Sequence, residues 1–275
     1  MSSTLPGLPA RVLQSWLKRR VHPLAAALDV DSPDAVSVHQ KIVHGNPLLQ
    51  EVYRAWYSEL LPSVEATAKL APRPMVELGC GASHLEKYIP GVIKTDCVAT
   101  INTDAVVDAQ ALPYGDSSLR AVFMTSLLHH LPDPEKCLRE VERCLAPGGR
   151  LALVEPSNSR LQERLINLFS AYESHDDQVA DWAGQPTGRL TNANTALAWV
   201  IFVRDRARFE RTFAGLQFVE IRYHTVLAGA VSGGMSFRPF LPAWTRPLVR
   251  AFEFVTGPVH RWLGTLMTVV LEKRG

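Results

Sequence analysis

The sequence predicts an α/β fold in which helices cover both faces of a doubly wound, mostly parallel sheet of seven strands. Short apolar segments alternate with helical segments from residue 74 onward, and this alternation is typical of parallel sheets covered on both sides. The apolar fraction of 47% and the charged fraction of 20% suit a chain that buries a sizeable core. A length of 275 residues allows one large domain, or one domain with additions.

Each predicted strand is a short apolar run bounded by turn residues. The strands cover residues 74–78, 91–95, 105–107, 121–126, 150–155, 218–227 and 265–272. Helices are predicted at 134–145 and 195–213. Residues 146–149 (APGG) end the first of these helices, because glycine terminates helices in a left-handed conformation and proline cannot continue them.

Segments outside this alternation predict additions to the sheet. Residues 1–70 are predicted to form an N-terminal helical extension that includes a helix at 48–61, and residues 71–275 the main domain. The polar residues 157–194 predict an irregular cap inserted into that domain. Residues 228–264 form a long connection between the last two strands, which we expect to act as a lid or docking surface.

Charge and cysteine content restrict the classes of function. The net charge of +2 gives no general basis for nucleic-acid binding. None of the four cysteines forms a CxxC pair, which argues against a zinc knuckle or a disulfide framework. The first residues lack the apolar core of a signal peptide, and no stretch approaches the roughly 18 apolar residues of a membrane span. We therefore expect a cytoplasmic protein.

A glycine-rich turn, with the sequence VELGCGA at residues 76–82, lies where the first strand is expected to lead into a helix. Glycines there allow a tight turn and a close approach of the backbone to a ligand; a turn without a ligand is the alternative. The dinucleotide fingerprint requires a third glycine where this chain has His84. The carboxylate of Glu77 would repel a pyrophosphate but attract the sulfonium and ammonium of S-adenosylmethionine.

Further motifs follow in a fixed order. They are Asp96, DAQALPY at 108–114, DSSL at 116–119, LHHLPDP at 128–134 and LAPGG at 145–149. Together with VELGCG they resemble the class I S-adenosylmethionine-dependent methyltransferases of the type 11 group, over about residues 74–156. The resemblance implies a Rossmann-like methyltransferase fold and S-adenosylmethionine as the cofactor.

The resemblance also implies which residues bind that cofactor. They are Glu77, Gly79, Cys80 and Gly81 at the methionine end, Asp96 at the ribose, Asp108 and Ala109 at the adenine, and Ser126 beyond the fourth strand. For Asp96 and Asp108, capping of a loop is the alternative role. Only eleven residues separate these two acids, which leaves room for at most a turn where the family has a helix.

Candidate catalytic residues follow the fourth strand. Methyl transfer to an oxygen of high pKa needs a base, and His129 and His130 are the nearest by position. Neighbouring side chains of an extended segment point to opposite faces, so at most one histidine is expected to face the pocket. The alternative is that both histidines only pack or form hydrogen bonds. Glu155, at the end of the fifth strand, is a further pocket candidate.

The predicted cap and the terminal segments hold further candidates. Tyr172, His175 and Trp182 are expected to shape an acceptor pocket, whereas a solvated loop is the alternative and no metal is expected. The first helix and an amphipathic helix at 246–254 are basic and apolar. This combination suits an anionic membrane surface or a lipid-like acceptor, or else packing on the sheet or on a second copy.

The function predicted from these features is methyl transfer to an oxygen of a small metabolite, glycan or lipid-linked acceptor. We expect the methyl group to go to an oxygen rather than to a nitrogen or a carbon, although no residue of the sequence decides between these three acceptor atoms. Two alternatives remain open, an NAD(P)-dependent oxidoreductase and a non-catalytic module that binds the cofactor. No nucleic acid is expected as a partner, and contact with the inner face of the membrane would be peripheral.

Overall fold

The computed structural model describes residues 10–170, 172–184 and 186–275. The strands are β1 (Met75–Leu78), β2 (Val92–Asp96), β3 (Ala105–Val106), β4 (Leu119–Thr125), β5 (Leu145–Pro156), β6 (Glu173–Ser174), β7 (Ala193–Asn194), β8 (Leu216–His224) and β9 (Leu266–Lys273). The helices are α1 (Ala10–Arg20), α2 (Ala35–Gly45), α3 (Pro47–Ala66), α4 (Pro134–Cys144), α5 (Arg160–Phe169), α6 (Leu197–Trp199), α7 (Arg206–Thr212), α8 (Ala228–Ser232), α9 (Arg246–Val255) and α10 (His260–Leu263).

Seven strands form one sheet in the order β3-β2-β1-β4-β5-β9-β8. β1 to β5 run parallel, and β9 is antiparallel to both β5 and β8. The chain moves outward from β1 to β3 and then returns to β4, on the other side of β1. This order confirms the predicted mostly parallel sheet of seven strands. Ligands of such sheets bind beyond the carboxyl ends of the strands where the order reverses, here between β1 and β4.

The connections that follow β1 and β2 are short. A helix was expected after the glycine-rich turn, but residues 79–91 contain only the 3₁₀ turn Leu85–Lys87. That expectation was wrong because thirteen residues must both hold the turn and return the chain to β2. The connection from β2 to β3 is a loop, as the spacing from Asp96 to Asp108 predicted.

The N-terminal helices cover the face of the sheet that these short connections leave open. On α3, Val52, Tyr57 and Leu60 are buried in one apolar cluster with Phe123 of β4 and Val154 of β5. Asn46 caps α3, since its side chain accepts a hydrogen bond from the backbone N–H of residue 49. The helix predicted at 48–61 is therefore found, extended at both ends, and α2 precedes it unpredicted.

The other face packs against α4, α6 and α7. Leu138 and Val141 of α4 and Phe209 of α7 are fully buried there. The helix predicted at 134–145 is confirmed to within one residue, and the LAPGG run belongs to β5 instead of a loop. The helix predicted at 195–213 is interrupted, because a π-turn at Val200–Arg204 separates α6 from α7.

Residues 157–194 are more regular than the sequence predicted. They contain α5 and a two-stranded ribbon of β6 and β7. Ser159 caps α5 by accepting a hydrogen bond from the backbone N–H of Gln162, 3.1 Å from the hydroxyl. The expectation of irregular structure was wrong because it relied on polar composition and missed this cap and the amphipathic pattern that follows it.

The long connection before β9 contains α8, α9 and α10, and α9 confirms the helix predicted at 246–254. It carries many of the chain's exposed large apolar residues. None of the helices in the described residues combines the length and the apolar character that spanning a bilayer requires.

Candidate functional site

A cavity of about 700 Å³ opens at the carboxyl ends of β1, β2 and β4, where the strand order reverses. Predicted site residues that line it are Gly79, Cys80, Gly81, Asp96, Asp108, Ala109, Ser126, His130 and Tyr172. Residues of α2 and α3, the segment 186–190 and the segment 229–235 complete its walls. The cavity is therefore built jointly by the sheet, the N-terminal helices and the cap.

The glycine-rich turn forms the floor of this cavity. Gly79 and Gly81 have φ of 65° and 43°, in the left-handed region that favours glycine. A Cβ on Gly79 would overlap the side chain of Leu127. The backbone N–H of Gly81 donates to Asp96 Oδ2 at 3.0 Å, which ties the turn to the end of β2. The floor is thus a backbone surface that other residues would block.

Glu77 lies at the base of the same turn, in β1. Its side chain is fully buried, and neither carboxylate oxygen has a hydrogen-bond partner among the residues that the structure describes. Burial raises the pKa of Glu77 to about 8. Glu77 does not line the cavity itself. A buried carboxylate is costly to ionise, so a cation near the turn would favour the charged form of Glu77.

The two aspartates that line the cavity differ in burial and in their partners. Asp96 is buried, and its Oδ1 lies 3.6 Å from Nη2 of Arg189. Asp108 is exposed, and its Oδ1 accepts a hydrogen bond of 2.8 Å from the backbone N–H of Gln110. The loop-capping role is therefore present at Asp108, although the residue also lines the cavity.

Asp31 holds in place the segment 186–190, which forms one wall of the cavity. This role was not predicted from the sequence. Its Oδ1 accepts hydrogen bonds from the backbone N–H of Leu190 at 2.7 Å and of Thr191 at 3.2 Å, and its Oδ2 accepts one from the Thr191 hydroxyl at 2.6 Å. Burial opposes ionisation, but these hydrogen bonds outweigh it and lower the pKa of Asp31. A Cβ on Gly188 would overlap this carboxylate. No motif signals the contact, since 159 positions separate Asp31 from Leu190.

Glu155 organises the turn that carries the histidines. Its Oε1 accepts hydrogen bonds from the backbone N–H of Leu127 at 2.9 Å and of Leu128 at 2.7 Å. Its Oε2 lies 2.5 Å from Nδ1 of His129. Glu155 is fully buried and lines neither this cavity nor the smaller one beside it, which corrects the expectation that it binds substrate. It acts instead as a positioning residue.

The two histidines of this turn differ in charge. Burial acts to lower the pKa of His129, but the carboxylates of Glu155 and Glu173 outweigh it and raise that pKa to about 9. Burial, the charge of His129 and the guanidinium of Arg189 hold the pKa of His130 well below its usual value. At neutral pH His129 is therefore a cation and His130 a neutral base.

His129, His130 and Glu173 each bring one possible ligand atom within 4.8 Å of the others, a spacing that could hold a metal ion. Nδ1 of His129 already pairs with Glu155, and its Nε2 lies 3.5 Å from Oε1 of Glu173. A proton on His129 satisfies both carboxylates, so the geometry of this cluster does not require a metal.

Two predicted substrate residues lie away from the cavity. His175 bonds through Nδ1 to the Thr195 hydroxyl at 2.9 Å and through Nε2 to the Asn158 amide oxygen at 2.8 Å. Trp182 is buried in the main core, where its Nε1 donates to Asp205 Oδ2 at 2.9 Å. These contacts correct the expectation of pocket-shaping roles, because both side chains stabilise the cap and the core.

The chain is similar to known methyltransferases over part of its length. Residues 76–153 match the family model of the type 11 methyltransferases, described as "Methyltransferase domain". The chain is 27% identical over 126 residues to the ubiquinone/menaquinone biosynthesis C-methyltransferase UbiE of Klebsiella pneumoniae (strain 342), covering 46% of this chain and 49% of that protein. It thus spans about half the length of such relatives.

Two further proteins are similar over different extents. The 27-O-demethylrifamycin SV methyltransferase of Amycolatopsis mediterranei (strain S699) is 50% identical over 46 residues, 17% of each chain. A crystal structure of an S-adenosylmethionine-dependent methyltransferase from Archaeoglobus fulgidus aligns with a TM-score of 0.48 and 13% identity, over 79% of this chain and 92% of that one.

Proposed function

We propose that this protein, whose residues 76–153 form a class I methyltransferase domain of the type 11 group, methylates a hydroxyl oxygen of a small acceptor. S-adenosylmethionine is the cofactor of this family. The observation that carries the proposal is the position of His130, a neutral base in the wall of the cavity that also holds the glycine-rich turn and Asp96.

The residues around the turn fit that cofactor. The buried carboxyl group of Glu77 suits the positive charge of its methionine end, which would favour its ionised form, and Gly79 and Gly81 hold the left-handed φ that the turn requires. Asp96 would hold the ribose hydroxyls, and Asp108 with Ala109 would flank the adenine. When bound, S-adenosylmethionine supplies an activated methyl group on a sulfonium, so the protein mainly aligns the acceptor and excludes water.

His130 would receive the proton of the acceptor. Its Nδ1 has no hydrogen-bond partner in the described part of the chain, whereas its Nε2 lies 3.7 Å from Oε1 of Glu173. This arrangement favours a tautomer with the proton on Nε2 and a lone pair on Nδ1. A base is needed for oxygen more than for an activated carbon, which is why we favour oxygen although one relative is named a C-methyltransferase.

Calorimetry separates this function from its alternatives. S-adenosylhomocysteine should bind the full chain with a Kd in the micromolar range, whereas NAD⁺ should not bind. Tight NAD⁺ binding without a response to S-adenosylhomocysteine would establish an oxidoreductase. Transfer of tritiated methyl groups to fractions of a cell extract then distinguishes an enzyme from a module that binds the cofactor without turnover.

We also infer that the surface around α9 and α10 contacts an anionic membrane. Large apolar side chains project there from Trp244, Leu248, Phe254, Val255 and Trp262, and Phe254 is 86% exposed. Within residues 228–264 the single acid, Glu253, accepts backbone N–H groups of residues 226–228 and faces inward. The nearby acid Glu51 pairs with both Arg246 and Arg250, and Arg261 adds a further positive charge to this region. An exposed apolar surface with basic side chains in the same region suits a bilayer with acidic headgroups.

Flotation with phosphatidylglycerol vesicles tests this contact. The protein should float with these vesicles at low salt and less at high salt, and Trp262→Glu should reduce flotation several-fold. Ile101→Glu is the control, because Ile101 is a strongly exposed apolar residue, at 82% against 65% for Trp262, and lies far from α9 in the sequence. Equal flotation of both variants, or no flotation of the native protein, would rule the contact out.

A further inference from the structure

A second, smaller cavity of about 270 Å³ adjoins the large one. The two share residues of their walls, among them Trp56, Ser126, Tyr172, Glu173 and Met235. The smaller cavity, which we call the side chamber, extends from these shared residues toward α5 and the segment 233–240. A molecule held in the side chamber would therefore reach the cofactor cavity at one end.

The far end of the side chamber is apolar and aromatic. Leu165, Ile166 and Phe169 of α5 line it, and all three are only half-buried although they form the apolar side of an amphipathic helix. The Phe169 ring centroid lies 5.8 Å from that of Phe237 and 5.5 Å from that of Phe240. Such rings favour a flat aromatic ligand, which they contact by stacking or edge-to-face packing.

The end shared with the large cavity is polar. His129 is fully buried and lines the side chamber, and its Nε2 lies 3.5 Å from Oε1 of Glu173, a residue of both cavity walls. Nε1 of Trp56, which also lines both cavities, has no hydrogen-bond partner in the described part of the chain. Ser126 adopts a left-handed φ of 51°, a strained conformation for a residue with a side chain. A buried donor without a partner is costly, and the indole N–H of Trp56 therefore suits an oxygen atom of a ligand.

We propose that the side chamber binds the methyl acceptor, and that this acceptor is an aromatic alcohol of about two fused rings, a phenol rather than a sugar. The inference rests on the proposed function. An apolar wall cannot satisfy the many hydroxyls of a glycan, whereas a phenol needs polar partners only at its hydroxyl. The partnerless indole N–H of Trp56 lies at that end of the chamber.

A phenol is also easier for this base to deprotonate than an aliphatic alcohol. A phenol loses its proton near pH 10, as tyrosine does, whereas an aliphatic alcohol is far less acidic. In the reaction the phenolic O–H bond breaks and its proton passes to Nδ1 of His130. The oxygen bonds to the methyl carbon as the carbon–sulfur bond breaks, and the electron pair of that bond leaves with the neutral thioether. The balance needs no oxidant, reductant or metal.

Binding of a simple probe tests the side chamber without requiring turnover. We would titrate the full chain with 2-naphthol and with methyl glucoside, each with and without S-adenosylhomocysteine. Ile166→Trp fills the chamber, and we expect it to weaken 2-naphthol binding at least tenfold while S-adenosylhomocysteine binding stays within twofold. Leu168→Trp is the matched control, because Leu168 is a half-buried residue of the same helix that does not line the chamber.

The outcomes separate the two proposals. Binding of 2-naphthol that Ile166→Trp weakens and Leu168→Trp does not supports the side chamber. Binding of methyl glucoside in preference to 2-naphthol overturns it, as does equal weakening by both variants. Failure of S-adenosylhomocysteine to bind, with 2-naphthol still bound, would refute the proposed function while the preference of the chamber for aromatic molecules stands.

Discussion

The two halves of the site are built in different ways. The proposed cofactor half consists of strand ends and turns from one continuous stretch, residues 76–130, and its shape depends on backbone geometry at Gly79 and Gly81. The proposed acceptor half combines α3, α5, residues 186–190 and residues 229–240, which are distant in sequence. A shape fixed by backbone leaves a motif in the sequence, whereas a wall of side chains from separate segments tolerates many sequences and leaves none.

Substitution in the cofactor half should have the largest effect. We expect Gly79→Val to abolish S-adenosylhomocysteine binding, by more than a hundredfold in calorimetry, because the new side chain meets Leu127 and the left-handed φ is strained. Gly91→Val is the control: Gly91 has a φ of 80° but no atoms near its Cβ position. If both variants keep their circular dichroism and bind equally well, the turn is not the cofactor site.

The next largest effect lies where the two halves meet. His130→Ala should lower kcat about 10²- to 10⁴-fold with little change in the KM for the cofactor, since it removes the general base. His175→Ala, in the cap but outside the cavity, should change kcat less than a few-fold. Steady-state kinetics on the acceptor found in extracts measures both variants, and similar losses would show that His130 only packs.

The buried pair of His129 and Glu155 should make the stability of the protein depend on pH. The folded-state pKa of His129 is raised to about 9 from 6.5, so its stabilisation is fully present below pH 6.5 and is lost as pH rises through 9. The loss should be roughly a few kcal/mol, since each pKa unit corresponds to about 1.4 kcal/mol. Thermal unfolding between pH 6 and 10 measures it.

A variant and an NMR titration test the predicted dependence of stability on pH. Glu155→Gln should flatten the dependence above pH 7, because it removes the nearest carboxylate. The imidazole of His129 can also be titrated by NMR in the native protein. A midpoint at or below 6.5 would show that the carboxylates do not hold a proton there.

The smallest effect concerns proton release on cofactor binding. Glu77 is protonated at neutral pH in the free protein, because burial raises its pKa to about 8. A bound cation would favour the carboxylate, so binding should release up to one proton below pH 8, and affinity should rise up to tenfold per pH unit from 6 to 8. Calorimetry in buffers of different ionisation enthalpy counts the protons, and Glu77→Gln should release none.

The sequence predicted the sheet closely because apolar alternation and turn residues act locally. β1 and β2 were placed within one residue at each end, and α4 within one residue. The predictions from sequence failed where the structure depends on residues that are distant in the chain. Packing between such residues, which no local pattern reports, determines the interruption between α6 and α7, the role of Asp31 and the burial of Trp182. Glu155 was predicted to line the pocket because it ends a strand. Its position in the sequence does not reveal that two backbone N–H groups and the His129 ring, all in the turn after β4, bind its carboxylate.

The helix α3, which shields the sheet in place of the missing crossover helices, has a consequence for how the molecule is assembled and handled. Its apolar side is made early in synthesis, yet its partners Phe123 and Val154 emerge 66 and 97 residues after Tyr57. Collapse of the domain must therefore wait until β5 has left the ribosome. For the same reason, removing residues 1–70 would expose the apolar face of the sheet that α3 covers. We expect such a fragment to aggregate rather than serve as a minimal enzyme.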